Sequence, residues 1–347
     1  MPLFQKVGVE VAIAKHRPLV LVTGATGAVG PLVVEAFNKE GYFIRTLSIS
    51  SPPAGIWPDG VEALTGDVTD PAVVNAAVEG VDVVVHLAAL LHIIHAPPTL
   101  REKYERINVG GTANVVAAAC RAGVKRLVFF STIAVYGPSN GRILTEETTP
   151  RPVTLYAQTK LAAERIVLAA RGVDDRPMGV VLRLGAVYGP RVKGNYRSLV
   201  RSLARSRFIP LGRGANRRTL VYDRDAARAA VLAAVHPAAA GRIFNVTDGQ
   251  VHTVNAIIGT LCDALGRRPP RLTLPAGPVR GLAGLLERSA GICGIRPPIA
   301  RMTIDTYLED VAVDGGRFRE QLGFVPQYDL TSGWRETVAK MRQVGEL

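Results

Sequence analysis

The stretch Pro18-Leu-Val-Leu-Val-Thr-Gly-Ala-Thr-Gly-Ala-Val-Gly30 decides the fold of this chain. It opens with an unbroken run of leucine and valine from Leu19 to Val22, which is typical of a strand buried on both faces. Three glycines follow at a spacing of three residues: Gly24, Gly27 and Gly30. An apolar, helix-like segment over residues 32–37 comes next. The order strand, glycine turn, helix indicates a dinucleotide-binding unit rather than an ordinary tight turn.

Each glycine has a different task in such a unit. Gly24 permits the tight turn, Gly27 lets the backbone approach a pyrophosphate, and Gly30 allows the helix to pack closely on the strand. The helix N-terminus then offers free N–H groups and a positive dipole end to the phosphates. The other loop residues of this expected cofactor site are Thr26, Ala28 and Val29.

Composition narrows the classes of function. The chain has 347 residues, of which 48% are hydrophobic, and a net charge of +13. Its basic residues are mostly scattered arginines without a dense block interleaved with aromatics, so we expect no nucleic-acid partner. An arginine-rich surface that favours anionic substrates explains the charge, and an acidic partner or a membrane surface is the alternative.

Several features favour a cytoplasmic enzyme, and no metal site is expected. No apolar run approaches the ~18–20 residues of a membrane span, and residues 1–17 lack a signal-like core and are interpreted as an N-terminal extension. The cysteines Cys120, Cys262 and Cys293 are few and far apart, which is typical of reduced thiols in the cytoplasm.

The rest of the chain alternates strand-like and helix-like segments. Strands are expected at residues 19–22, 42–47, 61–65, 82–87, 126–130 and 178–184, and helices at 71–78, 100–122 and 154–170. This alternation predicts an α/β fold with a doubly wound parallel Rossmann sheet.

We place the cofactor-binding domain at 18–186. Residues 187–347 are expected to return partly to the sheet and to form a smaller C-terminal substrate-binding lobe. Within this region a short strand is expected at 271–274, and segment 275–300 is interpreted as lobe packing, with a helix over the site or on a membrane surface as the alternative.

Two further motifs carry chemistry. Ser131 and Thr132 end the fifth strand, and Tyr156 and Lys160 begin the following helix. Residues four apart lie on one helical face. An unaided tyrosine with a pKa near ~10 is a poor base, and a neighbouring ammonium together with the positive charge of an oxidised nicotinamide would favour the phenolate.

Together these motifs resemble the extended branch of the short-chain dehydrogenase/reductase superfamily, in particular its nucleotide-sugar epimerases and reductases. The glycine spacing is that of the extended branch, and residues 313–324 resemble the closing signature of the family, so that the resemblance covers about residues 18–337. It implies that Tyr156 is the acid/base, that Lys160 lowers the pKa of this tyrosine and holds the nicotinamide ribose, and that Thr132 orients the reacting oxygen, with Ser131 as the competing candidate.

The resemblance also implies cofactor contacts beyond the glycine loop. Asp67 stands where the family holds the adenine amino group. The other positions that match the cofactor site are Val68, Leu87, Ala88, Ala89 and Asn108. At the end of the second strand an NAD site usually has an acid for the ribose 2′-hydroxyl, and this chain has Ser48 instead. The serines there, with Arg45 nearby, could receive a 2′-phosphate, which favours NADP over NAD.

Two later segments indicate the substrate. Residues 182–190 and 192–196, which include Asn195, resemble the loop that clasps a nucleoside diphosphate. Arg218 matches an arginine that grips the diphosphate, although Leu220 and Asp223 replace the Phe and the Val of that motif. In the first segment Leu184 and Ala186 replace the family's Pro and Asn, which puts one substrate hydrogen bond in doubt.

The resulting hypothesis is an NAD(P)-dependent enzyme acting on a nucleotide-linked sugar at C4, as an epimerase or a 4-ketoreductase and as a homodimer. Elimination of water is not expected, because Ile133 and Ala134 stand where dehydratases have an Asp-Glu pair. A 3β-hydroxysteroid-type dehydrogenase shares every cofactor motif and is the alternative enzyme. A cofactor-binding sensor without turnover is the alternative from another class.

Overall fold

The computed structural model describes residues 17–91, 93, 97–292 and 301–347. Of the expected N-terminal extension only Arg17 is described. Cys293 and the last part of segment 275–300 also lie outside the described residues.

A parallel sheet of seven strands forms the centre of the fold, in the order β3-β2-β1-β4-β5-β6-β9. Its strands are β1 (Leu19–Thr23), β2 (Phe43–Ser48), β3 (Glu62–Thr65), β4 (Val83–His86), β5 (Arg126–Thr132), β6 (Gly179–Leu184) and β9 (Ile243–Val246). The strand order reverses between β1 and β4. From β1 the sheet continues through β2 and β3 on one side, and from β4 it continues through β5, β6 and β9 on the other. The carboxyl ends of the strands therefore frame a crevice at this point, where such sheets bind ligands.

Helices cover both faces of the sheet, as the alternation of the sequence predicted. On one face lie α1 (Gly30–Lys39), α7 (Asp223–Val235) and α11 (Gly316–Leu322), packed on Val20 and Val22 of β1. On the other lie α2 (Pro71–Val78), α4 (Gly111–Arg121) and α5 (Leu155–Ala169), packed on Leu21. Alternate side chains of one strand thus enter two cores, and the predicted doubly wound fold is confirmed.

The helix expected over residues 100–122 has an unusual centre. It consists of α3 (Arg101–Tyr104), a π-helical turn (Glu105–Gly110) and α4. Such π-turns inside α-helices are frequent at functional sites, and this one carries Asn108.

A smaller lobe follows β6. Its sheet has three strands in the order β10-β8-β7, where β7 is Ala186–Tyr188, β8 is Arg217–Tyr222 and β10 is Val251–Thr253. The helices of this region are α6 (Asn195–Ala204), α8 (Val254–Leu265), α9 (Ala276–Ile292), α10 (Arg301–Leu308) and α12 (Leu330–Gln343). The buried rings of Tyr188 and Trp334, with centroids 4.3 Å apart, lie in its core.

The chain returns from the lobe to the main sheet with α7 and β9, because β9 pairs with β6 and α7 packs on α1. It returns again with α11, which packs on β9. The strand expected at 271–274 is wrong: only one isolated bridge forms there, between Leu211 and Leu274. Among the described residues, none of the helices combines the length and apolar character that crossing a bilayer requires.

Candidate active site

The glycine loop joins β1 to α1 and leaves no room for larger residues. Gly24 has a φ of +69°, and a Cβ there would lie 2.7 Å from the backbone nitrogen of Ala88. A Cβ on Gly30 would lie 2.1 Å from the backbone oxygen of Ala25. No side chain caps the N-terminus of α1 at Val29. Pro31 has no N–H and the N–H of Leu32 donates to the carbonyl of Val29 at 3.0 Å, so the N–H of Gly30 is the group of this first turn that can meet an anion. This cradle fits the pyrophosphate of a dinucleotide.

Ser48 ends β2 and ties that strand to the glycine loop. Its side chain is buried, and its hydroxyl accepts a hydrogen bond of 3.1 Å from the backbone N–H of Thr26. The position that carries an acid in many NAD sites therefore holds an uncharged group in contact with the loop.

Arg45 does not reach this position, so the expectation that it lies ready for a 2′-phosphate is wrong. Its Nε donates to Glu62 at 2.7 Å. Its Nη1 donates to the carbonyl oxygens of Ala77 and Glu79 at 3.0 and 2.6 Å. The guanidinium joins β2 to β3 and to the end of α2 instead.

Asp67 and Val68 follow β3 at the same edge of the sheet. Asp67 is half-buried, and one of its carboxylate oxygens accepts a hydrogen bond of 2.9 Å from the N–H of Thr69. The other oxygen accepts none from the described residues. Val68 is buried, and its carbonyl accepts a hydrogen bond from Asn114.

Leu87, Ala88 and Ala89 follow β4, and Asn108 holds the end of this segment. The Oδ1 atom of Asn108 accepts from the N–H of Leu90 at 2.7 Å, and its Nδ2 donates to the carbonyl of Leu90 and to Thr159 Oγ1, each at 3.1 Å. Both the oxygen and the nitrogen of the Asn108 amide are thus hydrogen-bonded within the protein. We assign it a positioning role in place of the expected direct contact with the cofactor.

The bond to Thr159 connects this segment to the candidate catalytic helix. Thr159 Oγ1 lies 3.0 Å from the carbonyl oxygen of Tyr156. Asn108 therefore links the segment after β4 to the helical turn that carries Tyr156, a connection that the sequence motif alone did not indicate.

The three expected catalytic residues lie at the carboxyl end of β5 and in the first turns of α5, which packs on β5 and β6. Thr132 is half-buried and its hydroxyl accepts from the N–H of Ala134 at 3.2 Å. Tyr156 is half-buried, whereas Lys160 is 2% exposed. The Nζ atom of Lys160 lies 3.8 Å from the ring centroid of Phe129 on β5.

The protonation of this pair differs from the expectation. Burial, with a smaller contribution from Tyr104, raises the pKa of Tyr156 to about 12. Burial lowers the pKa of Lys160 to about 7, although Glu164 acts in the opposite direction. The residues of the chain therefore do not lower the pKa of Tyr156, and its phenol is protonated across the neutral range.

Ser131, the competing candidate for Thr132, belongs to a buried ionic network. Its hydroxyl donates to Glu164, and Arg183 binds the two oxygens of Glu164 through Nε at 3.0 and 3.2 Å and through Nη2 at 2.6 Å. Glu164 and Arg183 are almost completely buried. Sequence reasoning missed this pair, although Arg183 lies in an otherwise apolar strand and a buried charge requires a partner.

His86 ends β4 and was also missed. Its Nδ1 lies 2.6 Å from Thr23 Oγ1 and its Nε2 3.0 Å from Thr112 Oγ1. Because Thr112 donates its own proton to the carbonyl of Asn108 at 2.7 Å, Nε2 carries the imidazole proton and Nδ1 accepts from Thr23. Burial and the nearby Lys160 lower the pKa of His86 to about 3, so this imidazole is neutral and fixes the end of β4.

The expected substrate residues lie apart from this cluster in the chain. Asn195 is exposed and begins α6, whose N-terminus has no side-chain cap. Arg218 is half-buried, and its guanidinium is hydrogen-bonded within the protein. Its guanidinium donates to the carbonyl oxygens of Thr306 at 2.8 Å and Tyr307 at 2.9 Å, and also to Glu309. The interpretation of Arg218 as a diphosphate ligand is therefore contradicted by its position, which caps the C-terminus of α10.

A cavity of about 430 Å³ opens beside Tyr136, with Arg142 and Arg151 in its wall. Its lining does not include Thr132, Tyr156 or Lys160. We therefore assign no step of the chemistry to it.

Comparison with known proteins identifies the family of this chain. Residues 20–247 match the model of the NAD dependent epimerase/dehydratase family. The chain is 28% identical to a UDP-glucose 4-epimerase of Vibrio cholerae, with 93% of this chain and 95% of that protein covered. It is also 28% identical to a 3 beta-hydroxysteroid dehydrogenase/Delta 5-->4-isomerase of Mycobacterium tuberculosis, over 89% and 86% of the two chains.

One solved structure is informative about ligands. MoeE5 in complex with UDP-glucose and NAD superposes with a TM-score of 0.73 at 27% identity, covering 94% of this chain and 99% of that one. The family match over residues 20–247 includes the glycine loop, the end of β5 and the Tyr156–Lys160 pair. The chain belongs to the NAD dependent epimerase/dehydratase family, and it is an enzyme of the extended short-chain dehydrogenase/reductase type.

Proposed function

We propose that this enzyme transfers a hydride between a nicotinamide dinucleotide and a secondary alcohol or ketone, with Tyr156 as the acid/base. The observation that carries the proposal is the placement of Tyr156 and Lys160 in the first turns of α5, next to the end of β5 that carries Thr132. The glycine cradle lies at the same edge of the sheet.

Each residue of the site has a separate role in the proposed reaction. When bound, the nicotinamide accepts or supplies the hydride. Tyr156, protonated in the neutral range because its pKa is about 12, is suited to donate a proton to a carbonyl oxygen. Thr132 orients that oxygen, and Lys160 holds the nicotinamide ribose. Asn108 and Ser48 keep the surrounding loops in place through the contacts described above.

The proposed substrate is a nucleoside-diphosphate sugar that reacts at C4. The UDP-glucose bound by MoeE5 and the activity named for the Vibrio cholerae relative support this class. The uncapped N-terminus of α6 at Asn195, preceded by Lys193, is suited to an anion. Because Ile133 and Ala134 provide no further acid or base, the chemistry ends at epimerisation or ketone reduction.

A second candidate is supported by one observation. Arg218 is used to cap α10, so the arginine that the first candidate assigned to a diphosphate is engaged. A 3β-hydroxysteroid-type substrate has no diphosphate and needs no such arginine, and the Mycobacterium tuberculosis relative is named for that activity.

Turnover assays separate the two candidates. The enzyme is incubated with NAD(H) or NADP(H) and either UDP-glucose or a 3β-hydroxysteroid, and nicotinamide absorbance and product epimers are measured. Conversion of the UDP-sugar supports the first candidate, and oxidation of the steroid alone supports the second. No turnover of either class, with cofactor still bound, would contradict both and favour a sensor.

For Arg218→Ala we expect a loss of stability instead of a loss of nucleotide binding. The substitution removes a cation from several carbonyl oxygens at the end of α10, and hydrogen bonds to charged groups contribute ~1.5–3 kcal/mol. Thermal and denaturant unfolding measure this effect, with the exposed Arg213→Ala as control. A tenfold weaker affinity for UDP in calorimetry, at unchanged stability, would restore Arg218 as a diphosphate ligand.

We propose that the enzyme binds NADP(H) at least as tightly as NAD(H), because Ser48 provides no carboxylate to repel a 2′-phosphate. Ser48→Asp should shift the preference toward NAD(H) by about tenfold or more, since like charges in contact cost several kcal/mol. An aspartate can still accept the Thr26 N–H, so the loop is retained. Titration of both cofactors against both proteins tests this, and a strong preference of the native enzyme for NAD(H) would contradict it.

We further propose a cytoplasmic homodimer. Light scattering of the purified protein measures its mass directly, and a monomer at micromolar concentration would contradict the dimer.

A further inference from the structure

Two loops of the C-terminal lobe, residues 205–213 and 266–275, lie side by side. Arg267 Nη1 donates to Ser206 Oγ at 2.8 Å. The N–H of Leu274 donates to the carbonyl of Pro210 at 2.9 Å, and the N–H of Gly212 donates to the carbonyl of Leu274 at 2.8 Å. Helix α9 begins immediately after the second loop. We call the two loops together with the outer stripe of α9 the leucine–arginine surface.

This surface exposes large apolar side chains that the lobe does not use for packing. They are Ile209 (51% exposed), Leu272 (76%), Leu274 (44%), Leu282 (58%) and Leu285 (63%). On α9, Leu282 and Leu285 share a stripe with the exposed Pro278 and Gly281, because residues three and four apart lie on one face. Ala283, on another side of the helix, is buried. Over residues 276–286, the part of α9 whose side chains the structure describes, the helix therefore presents an apolar stripe outward.

The same two loops are strongly basic. They contain Arg205, Arg207, Arg213, Arg267, Arg268 and Arg271 and no acidic residue. All six are exposed. The neighbouring Arg201 and Arg280 are paired with Glu346 and Asp305, whereas the six loop arginines have no ion-pair partner among the residues that the structure describes.

We propose that the leucine–arginine surface binds peripherally to an anionic lipid bilayer. Exposed leucines beside arginines are the composition with which an interfacial helix enters the headgroup region while its cations meet anionic lipids. A partner that covers the leucine–arginine surface must supply both an apolar layer and a high density of negative charge. A bilayer containing anionic lipids supplies both over an area as broad as the two loops and α9.

A second copy of this chain fits the leucine–arginine surface less well than an anionic bilayer does. In a two-fold symmetric dimer the same patch meets itself, so the six arginines of one loop pair would lie close to those of the other. Like charges in an interface are unfavourable. A nucleic acid would neutralise the arginines but would leave the leucines in water.

The proposal is tested by flotation of the full chain with vesicles of phosphatidylcholine, with and without phosphatidylglycerol. We expect the wild-type protein to float with the anionic vesicles and not with the neutral ones. Raised salt should release it from the anionic vesicles. Arg268→Gln together with Arg271→Gln should weaken binding by about tenfold or more, given the contribution of each basic side chain near an anionic surface. Leu282→Asp together with Leu285→Asp should weaken it to a similar extent.

Matched controls lie elsewhere on the surface. Val173→Asp replaces an apolar side chain that is 86% exposed, and Arg319→Gln removes an exposed arginine from α11; neither should change binding. Cofactor affinity and thermal unfolding show that the variants are folded. Absence of vesicle binding by the wild-type protein, or equal loss in the controls, overturns the proposal. A wild-type dimer that the leucine variant converts to a monomer, without vesicle binding, assigns the surface to self-association instead.

Discussion

Tyr156→Phe is expected to lower turnover by about 10²–10⁴-fold, the range that a positioned acid/base contributes. The phenol is the proton carrier in the proposed reaction, and its removal leaves the ring and its packing in place. Affinity for the cofactor should therefore stay within a few-fold of the wild-type value. Steady-state kinetics with the active substrate class and a fluorescence titration of NADPH measure the two quantities separately.

Tyr42→Phe is the matched control for this experiment. Tyr42 is half-buried against Phe37, with ring centroids 5.1 Å apart, on the α1 side of the sheet. The control should retain full turnover. If Tyr156→Phe kept a tenth of the wild-type rate, the acid/base would have to be another group, and Thr132 with an ordered water would be the next candidate to test.

The sequence predicted the nucleotide-binding half of this molecule because its signals are local. Residues 20–22 of the first strand are buried on both faces, and Gly24 has the positive φ that a glycine allows. Asp70 accepts the N–H groups of Ala72 and Val73 as the N-cap of α2, whose limits were predicted to the residue. In each of these cases the sequence signal itself, an apolar run, a glycine spacing or a capping residue, lies within a few positions in the chain.

The errors arose from long side chains whose partners lie far away in the sequence. Arg45 is bound to Glu62 and to the end of α2, and Arg218 to the end of α10, 88 to 91 residues later. An arginine can reach in many directions, so its position in a motif does not fix where the guanidinium lies. The same reason hid the pair Glu164–Arg183, which joins α5 to β6.

The catalytic helix combines two requirements that oppose each other. Under the proposed function its first turns bring a tyrosine and a lysine to the cofactor, yet Lys160 is 2% exposed and packs on Phe129. Glu164, one turn further, is bound to Arg183 and Ser131, and its charge only partly offsets the desolvation of the ammonium. We infer that Lys160 is kept for function at a cost in stability.

Lys160→Met is therefore expected to abolish most activity and to stabilise the fold at neutral pH. The pKa of Lys160 is about 7 in the folded chain, against ~10.4 in the unfolded chain. Between these values the unfolded chain binds more protons, so the stability of the wild-type protein rises with pH from ~7 to ~10.4. Burying the charged lysine lowers the stability of the folded chain by its full amount below pH ~7, and this cost disappears above pH ~10.4. The variant lacks this cost, and these two pKa values give it a free energy of unfolding at pH 7 that is higher by roughly 4 kcal/mol.

Urea unfolding of both proteins at several pH values measures this difference. The advantage of Lys160→Met should be largest near pH 6–7 and should shrink toward pH 10, because the wild-type lysine loses its proton over that window. Lys39→Met is the control, since Lys39 is 66% exposed and paired with Glu35 on the surface, where such pairs contribute little. If Lys160→Met were less stable than the wild-type protein at pH 7, the ammonium would be stabilised by its contacts with Phe129 and Glu164. The inferred conflict between function and stability at this helix would then be wrong.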